Sequence, residues 1–388
     1  MTSRPDKSPD TLNKAPVYRL TDRKDGPAKT LDRLLRENHA SHAALGSSYV
    51  MGASSSKLEE IYAADSPNLT SVDGGVLRNA ISRQNWRKYL GQKQYTAAYV
   101  DYFDSEVEKN GGNWGKVVED YIYSGSEPLI NGFSVGHPFI HLAYGYEFES
   151  KEVITEALSL GCTEYDKTHR YLDILPPDNS TYKTTSLAEV LESLRNDHRF
   201  ESYSQHLGFA NIFTLLDQFE AEVLEHWNAL VVEDATKQLT EWLQTAATLA
   251  VSAINAEGGL DFYLAHVLTV GHALRILLPL MPGQHRIPVL KQFGLYTILV
   301  YLAQLRPGFG PDTIKSFKTD LTSWDDIFKR ALESKWSNDI HWPKVVRALK
   351  AVEELRGSQD GFYQKAAVKF IAEFDGWTGF GLGADAIH

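Results

Sequence analysis

The chain has 388 residues, 43% of them hydrophobic and 23% charged, enough to bury a sizeable core in one large domain or two. Its formal net charge is −11 with no Lys/Arg block, so there is no electrostatic basis for binding nucleic acid or an anionic membrane. Small neutral molecules or other proteins are the expected partners.

Residues 1–29 hold Pro5, Pro9, Pro16 and Pro27 among many charges and no apolar core, and read as a disordered lead-in rather than a secretory signal. From Thr30 onward apolar residues recur three and four apart, as in Leu31, Leu34 and Leu35, so the fold class is mainly α. The spacing predicts helices over 30–45, 56–63, 75–83, 94–109, 113–123, 138–147 and 150–159, separated by Gly, Pro, Asn or Asp. Next comes Cys162, the single cysteine, which excludes an internal disulfide, fits a reducing cytoplasmic setting and reads as a quiet core thiol. The stretch 164–186, with Pro176, Pro177, Asn179 and Ser180, reads as a long irregular loop.

Further helices are predicted over 186–195, 207–217, 219–230, 233–255, 260–279, 286–305, 311–317, 323–331, 341–356 and 360–374, with Asp261 and Asp339 at helix-start positions. The apolar run from Phe293 to Leu305 is about 13 residues, short of the ~20 needed to span a bilayer, and reads as a buried helix. Neither a repeat nor a composition change divides the chain, so residues 30–388 are expected to form one compact multi-helix catalytic body.

Its chemistry centres on histidine. In Gly136-His137-Pro138-Phe139-Ile140-His141-Leu142-Ala143-Tyr144-Gly145, Pro138 marks the first helical turn, placing His137 at the cap and His141 one turn later on the same face. That spacing suits two nitrogen ligands of one metal, and equally suits two structural histidines. His39 and His42 lie three apart at a predicted helix end, where cap roles compete with ligation. His266 and His272 are six apart and point to different sides of their helix. Lys344 follows His341 and Pro343 near a positive helix end, an odd place for an ammonium. On the surface it would snorkel; buried, it could be neutral and could take up CO₂ as a carbamate, an oxygen donor for a metal. Gly379-Phe380-Gly381-Leu382-Gly383 has no strand before it and is no dinucleotide fingerprint. There is no Walker loop, His-Glu-x-x-His helix or Gly-x-Ser-x-Gly elbow.

In order, these segments resemble the questin oxidase-like family of fungal oxygenases. The resemblance runs through His39 to His42, Met51-Gly52-Ala53-Ser54, Asn85-Trp86, Tyr99-Val100-Asp101-Tyr102-Phe103, the Gly-His-Pro segment, Asp261 to His266, His341 to Leu349 and Phe374-Asp375-Gly376-Trp377. It implies an O₂-using enzyme of secondary metabolism that opens a ring of a polyketide anthraquinone or related polycyclic phenol, formally a Baeyer–Villiger-type cleavage. It further implies a non-haem Fe(II) site between helices, with His42, His137, His141 and His266 as nitrogen ligands and a carbamylated Lys344 as the oxygen ligand. His39 and His341 are the reserve ligands. A metal-free or NADPH-assisted monooxygenase, with NADPH as external reductant, and a non-catalytic helical scaffold are the competing readings.

Overall fold

Gly26–Glu37 (α1), His42–Val50 (α2), Ser55–Asp65 (α3), Thr96–Lys109 (α4), Trp114–Ile122 (α5), His137–Phe148 (α6) and Lys151–Thr163 (α7) build the first half of the chain. Arg170–Asp173 (α8), Leu187–Arg195 (α9), Asn211–Gln218 (α10), Glu220–Ala229 (α11) and Ala235–Ser252 (α12) follow. Phe262–Leu277 (α13), Gly283–Ala303 (α14), Asp312–Lys315 (α15), Trp324–Glu333 (α16), Trp342–Arg356 (α17) and Phe362–Glu373 (α18) complete it. This computed structural model describes residues 15–37, 42–68, 77, 79–133, 136–320 and 323–381. Among them there is no β-strand, and pairing is confined to isolated bridges such as Asp261 with Thr378. No helix there is long and apolar enough to cross a membrane.

The mainly helical fold expected from the spacing is the fold observed, and its centre is α13. Every residue of α13 after Phe262 is buried, including the polar His266, Thr269, His272 and Arg275, as befits a helix enclosed on all sides. α12 and α6 lie against α13, α7 against α6, and α17 reaches α2, α12, α13 and α18. Gly145 lets α6 and α7 approach closely, because a Cβ there would fall 2.6 Å from Ile154 Cδ1. Cys162 is fully buried, as expected of a core thiol.

Four segments differ from the spacing-based expectation. The helix predicted over 30–45 is represented by α1, which starts at Gly26, and α2, which starts at His42; residues 38–41, His39 among them, lie outside the described residues. Leu20 and Ala28 are buried, so packed structure begins before residue 30, while residues 1–14 lie outside the described part. Within 75–83 the described residues are turns and irregular chain, because Asn79 takes φ +69° and the Asn85 side chain captures the Ser82 N–H. The loop over 164–186 contains the short helical turns Lys167–His169 and α8, started by Asp166, whose carboxylate accepts from the Thr168 N–H.

Asp261 is the N-cap of α13, accepting from the Tyr263 and Leu264 N–H groups at 2.9 and 3.0 Å. Asp261→Ala leaves those buried donors unmet and is expected to cost about 1–2 kcal/mol, read as a lower urea midpoint with an unchanged m-value. Asp339 works similarly at α17, accepting from the His341 and Trp342 N–H groups.

Candidate metal centre

α6 and α7 are joined at Glu149–Ser150, so α7 runs back along α6 and sets acidic residues opposite histidines. His141 Nδ1 lies 3.8 Å from Glu156 Oε1, and His137 Nδ1 lies 3.7 Å from Glu164 Oε2. Against expectation, His137 and His141 therefore have different neighbours: four residues of helix separate them by about 6 Å along the axis. The helix itself begins at His137, with Gly136 as N-cap at φ +87°, one residue before the expected cap.

α2 brings His42 onto the His141 side. Their ring centroids are 4.2 Å apart, and the ligand atoms of His42, His141 and Glu156 all lie within 4.8 Å of one another. His42 is 1% exposed, and the His141 and Glu156 side chains 15% and 14%. Burial pushes the Glu156 carboxyl up to about 8, so it holds its proton at neutral pH in the bare chain.

The other predicted residues gather at the start of α6. His266 on α13 has its ring centroid 5.7 Å from that of His137 and 4.8 Å from that of His341. Lys344 on α17 is buried, which excludes the snorkelling alternative; burial lowers its ammonium to about 8, against the raising influence of Asp339 and Asp65. His266 is held well below the usual histidine range by burial first, then by the charges of Lys344 and His137. Burial alone would raise the Glu164 carboxyl, but His137 beside it more than offsets this and keeps it below the ordinary value. Among the described residues, His42, His141 and Glu156 form the one group of three or more His, Cys, Asp or Glu residues close enough to share an ion. His137 and His266 pair with each other beside it.

The most informative atom is His266 Nε2. Its partner Nδ1 donates to the Phe262 carbonyl at 2.7 Å, and because a carbonyl only accepts, the proton of the neutral ring must sit on Nδ1. Nε2 is thus a bare lone pair, buried and without a hydrogen-bond partner. Imidazole nitrogens with carboxylate oxygen are a donor set suited to non-haem iron, and histidine ligands ordinarily have their other nitrogen held by an oxygen. The residues present fit such an ion.

Glu156, Glu164 and the Phe262 carbonyl were not legible as site groups, since acids on a helix stripe look like a solvated face. Glu147, six residues past His141, turns away and pairs with Arg347.

Fold and site together define an all-helical protein in which His42, His141 and Glu156 meet between α2, α6 and α7, with His137 of α6 beside His266 of α13. The Questin oxidase-like family model matches residues 36–349, and the chain belongs to that family. It is similar to a Baeyer-Villiger oxidase of Pestalotiopsis microspora, 25% identical over 358 residues that cover 85% of this chain and 79% of that protein. It is also similar to the Baeyer-Villiger oxidase mdpL of Emericella nidulans, at 22% identity with 88% and 80% covered. The questin oxidase of Aspergillus fumigatus is 22% identical, with 87% of this chain and 84% of that protein covered.

Proposed function

We propose that this chain is an O₂-dependent oxidase that opens a ring of a polyketide anthraquinone or related polycyclic phenol, with a Baeyer–Villiger-type outcome, at a non-haem iron centre. The cluster of His42, His141 and Glu156, with ligand atoms within 4.8 Å of one another, carries the reading, and the bare, buried lone pair of His266 Nε2 beside it supports it. The names of the relatives, questin oxidase and Baeyer-Villiger oxidase, support the substrate class and reaction outcome. The residues that would hold the ion are His42, His141 and Glu156, the group close enough to share one, while His137, His266 and Lys344, the last as a carbamate, would have to close in from beside it to complete the expected set. Ferrous iron there would supply an open position and a redox couple for dioxygen.

The protein's own groups do the positioning. Glu164 and Glu156 face the Nδ1 atoms of His137 and His141, steering their Nε2 atoms away, and the Phe262 carbonyl fixes the His266 tautomer. The buried walls keep water from the reacting ring.

The test is metal analysis with oxygen uptake on a hydroxyanthraquinone, before and after chelation, for the parent chain and for His137→Ala and Lys344→Ala. About one iron per chain, uptake lost on chelation and restored by Fe(II), and depleted iron in both variants are expected. Uptake that survives chelation and needs NADPH, or full iron in both variants, overturns the iron assignment.

A further inference from the structure

We infer that His272, Arg275, Glu147 and Arg347 enclose a cluster of bound water between α6, α13 and α17, and that this cluster passes protons between Glu354 at the surface and the underside of the histidine centre. The water site stands without the oxidase reading; its use in oxygen chemistry rests on that reading.

His272, six residues past His266 on α13, takes no part in the candidate centre. It is 2% exposed, and neither ring nitrogen has a hydrogen-bond partner among the described residues. Its neighbours share the deficit. Arg275 Nε, Arg347 Nη1 and Glu147 Oε2 are likewise buried and unmet, although Arg275 Nη2 donates to Glu354 at 2.9 Å and Arg347 Nη2 donates to Glu147. Burial first, then the charges of Arg347 and Arg275, hold His272 well below the usual histidine range, so the ring is neutral with one N–H and one lone pair.

The kinds of atom select the ligand. The two guanidinium N–H groups and the imidazole N–H need acceptors, whereas Glu147 Oε2 and the other imidazole nitrogen need donors. A metal ion would leave the first set unmet and a simple anion the second. Water serves both, and because a buried water makes ~3 hydrogen bonds, these atoms call for about two or three molecules. Such water is held rather than bulk, and the buried charges of Arg347 and Glu147 still depend on each other.

The cluster has two ends. Glu354, its side chain 43% exposed, meets solvent and grips Arg275. At the inner end the Arg347 guanidinium lies over Tyr144, whose ring stands 5.5 Å from that of His42. Arginine keeps its protons, so Arg275 and Arg347 anchor the water while His272 carries. A new N–H bond forms at its bare nitrogen as the N–H at the other breaks, one proton moves on through water, and no electrons are exchanged.

The experiment uses the full chain. A high-resolution crystal structure is expected to place about two or three ordered waters within ~3.2 Å of these side chains, and oxygen-17 relaxation dispersion to find long-lived internal water in solution. His272→Leu should lose at least one of them. His272→Gln keeps a donor and an acceptor and should hold the water, yet it cannot take up a proton. NMR exchange of the Arg347 side-chain N–H groups with solvent should therefore slow by about tenfold or more in both variants, and kcat for oxygen uptake should fall comparably at parent iron content and KM. A dry site in the parent, which needs no variant to fold, overturns the inference, as does parent-like exchange in both variants. Slowed exchange with parent-like kcat overturns the use of the path by the centre. A parent chain that shows the water and the exchange but no iron-dependent oxygen uptake sinks the oxidase reading and leaves the water path standing.

Discussion

His266→Leu is expected to fold normally, lose its iron and fall by more than about 100-fold in oxygen uptake, since removal of a mere outer-shell partner already costs ~10–100-fold in metal affinity or activity. The stability readout separates a ligand from a core histidine. In the bare chain His266 Nε2 is a buried acceptor with no partner, a defect worth about 1–3 kcal/mol, while Nδ1 contributes one hydrogen bond to Phe262 worth about 1 kcal/mol. Leucine removes both, so the metal-free variant should unfold in urea at the same or a higher midpoint than the metal-free parent. A structural histidine would give the opposite result, lower stability with iron and turnover retained.

The second large effect lies one layer beneath the site. Arg347 and Glu147 are ion-paired with side chains 5% and 0% exposed, and the guanidinium stands 5.2 Å over the Tyr144 ring. Tyr144 in turn shares a 2.6 Å hydrogen bond with Ser47 and sets its ring 5.5 Å from that of His42. Glu147→Ala strands the guanidinium in the core and is expected to cost about 3–5 kcal/mol in urea unfolding. The double change Glu147→Leu with Arg347→Met, which removes both charges and keeps the volume, should recover most of that loss. A single-variant cost below about 1 kcal/mol would show that the pair is reached by water. Because the pair braces Tyr144 under His42, Glu147→Ala should also loosen iron, whereas the double variant should hold it better.

Helices were legible in this sequence wherever a stripe three and four residues apart met a plain stop signal, as at α12, α13, α17 and α18. The misplaced boundaries fall where a side chain captured backbone donors, Asn85 near Ser82 and Asp166 before Thr168. The histidines stood out because the residue is rare and the Gly-His-Pro run fixes a helix start. Glu156 and Glu164 did not, because only the return of α7 along α6 tells an acid opposite a histidine from one facing water. The role of Phe262 belongs to its carbonyl and has no signature in residue type.

The candidate centre takes side chains from α2 and from α17, about 300 residues apart in the chain. At the usual pace of ~5–20 residues per second, a ribosome needs about 15–60 s to make that stretch. α2 packs on α1, α3 and α6, made early, and on α17, so one side of its flank is covered only when α17 arrives. Closing so long a loop is slow, so the α17 side of the centre is added late in folding, after His42 and His141 have been made. Under the proposed assignment, iron would then be loaded after synthesis, into a nearly finished protein, rather than serving as a template for its first helices.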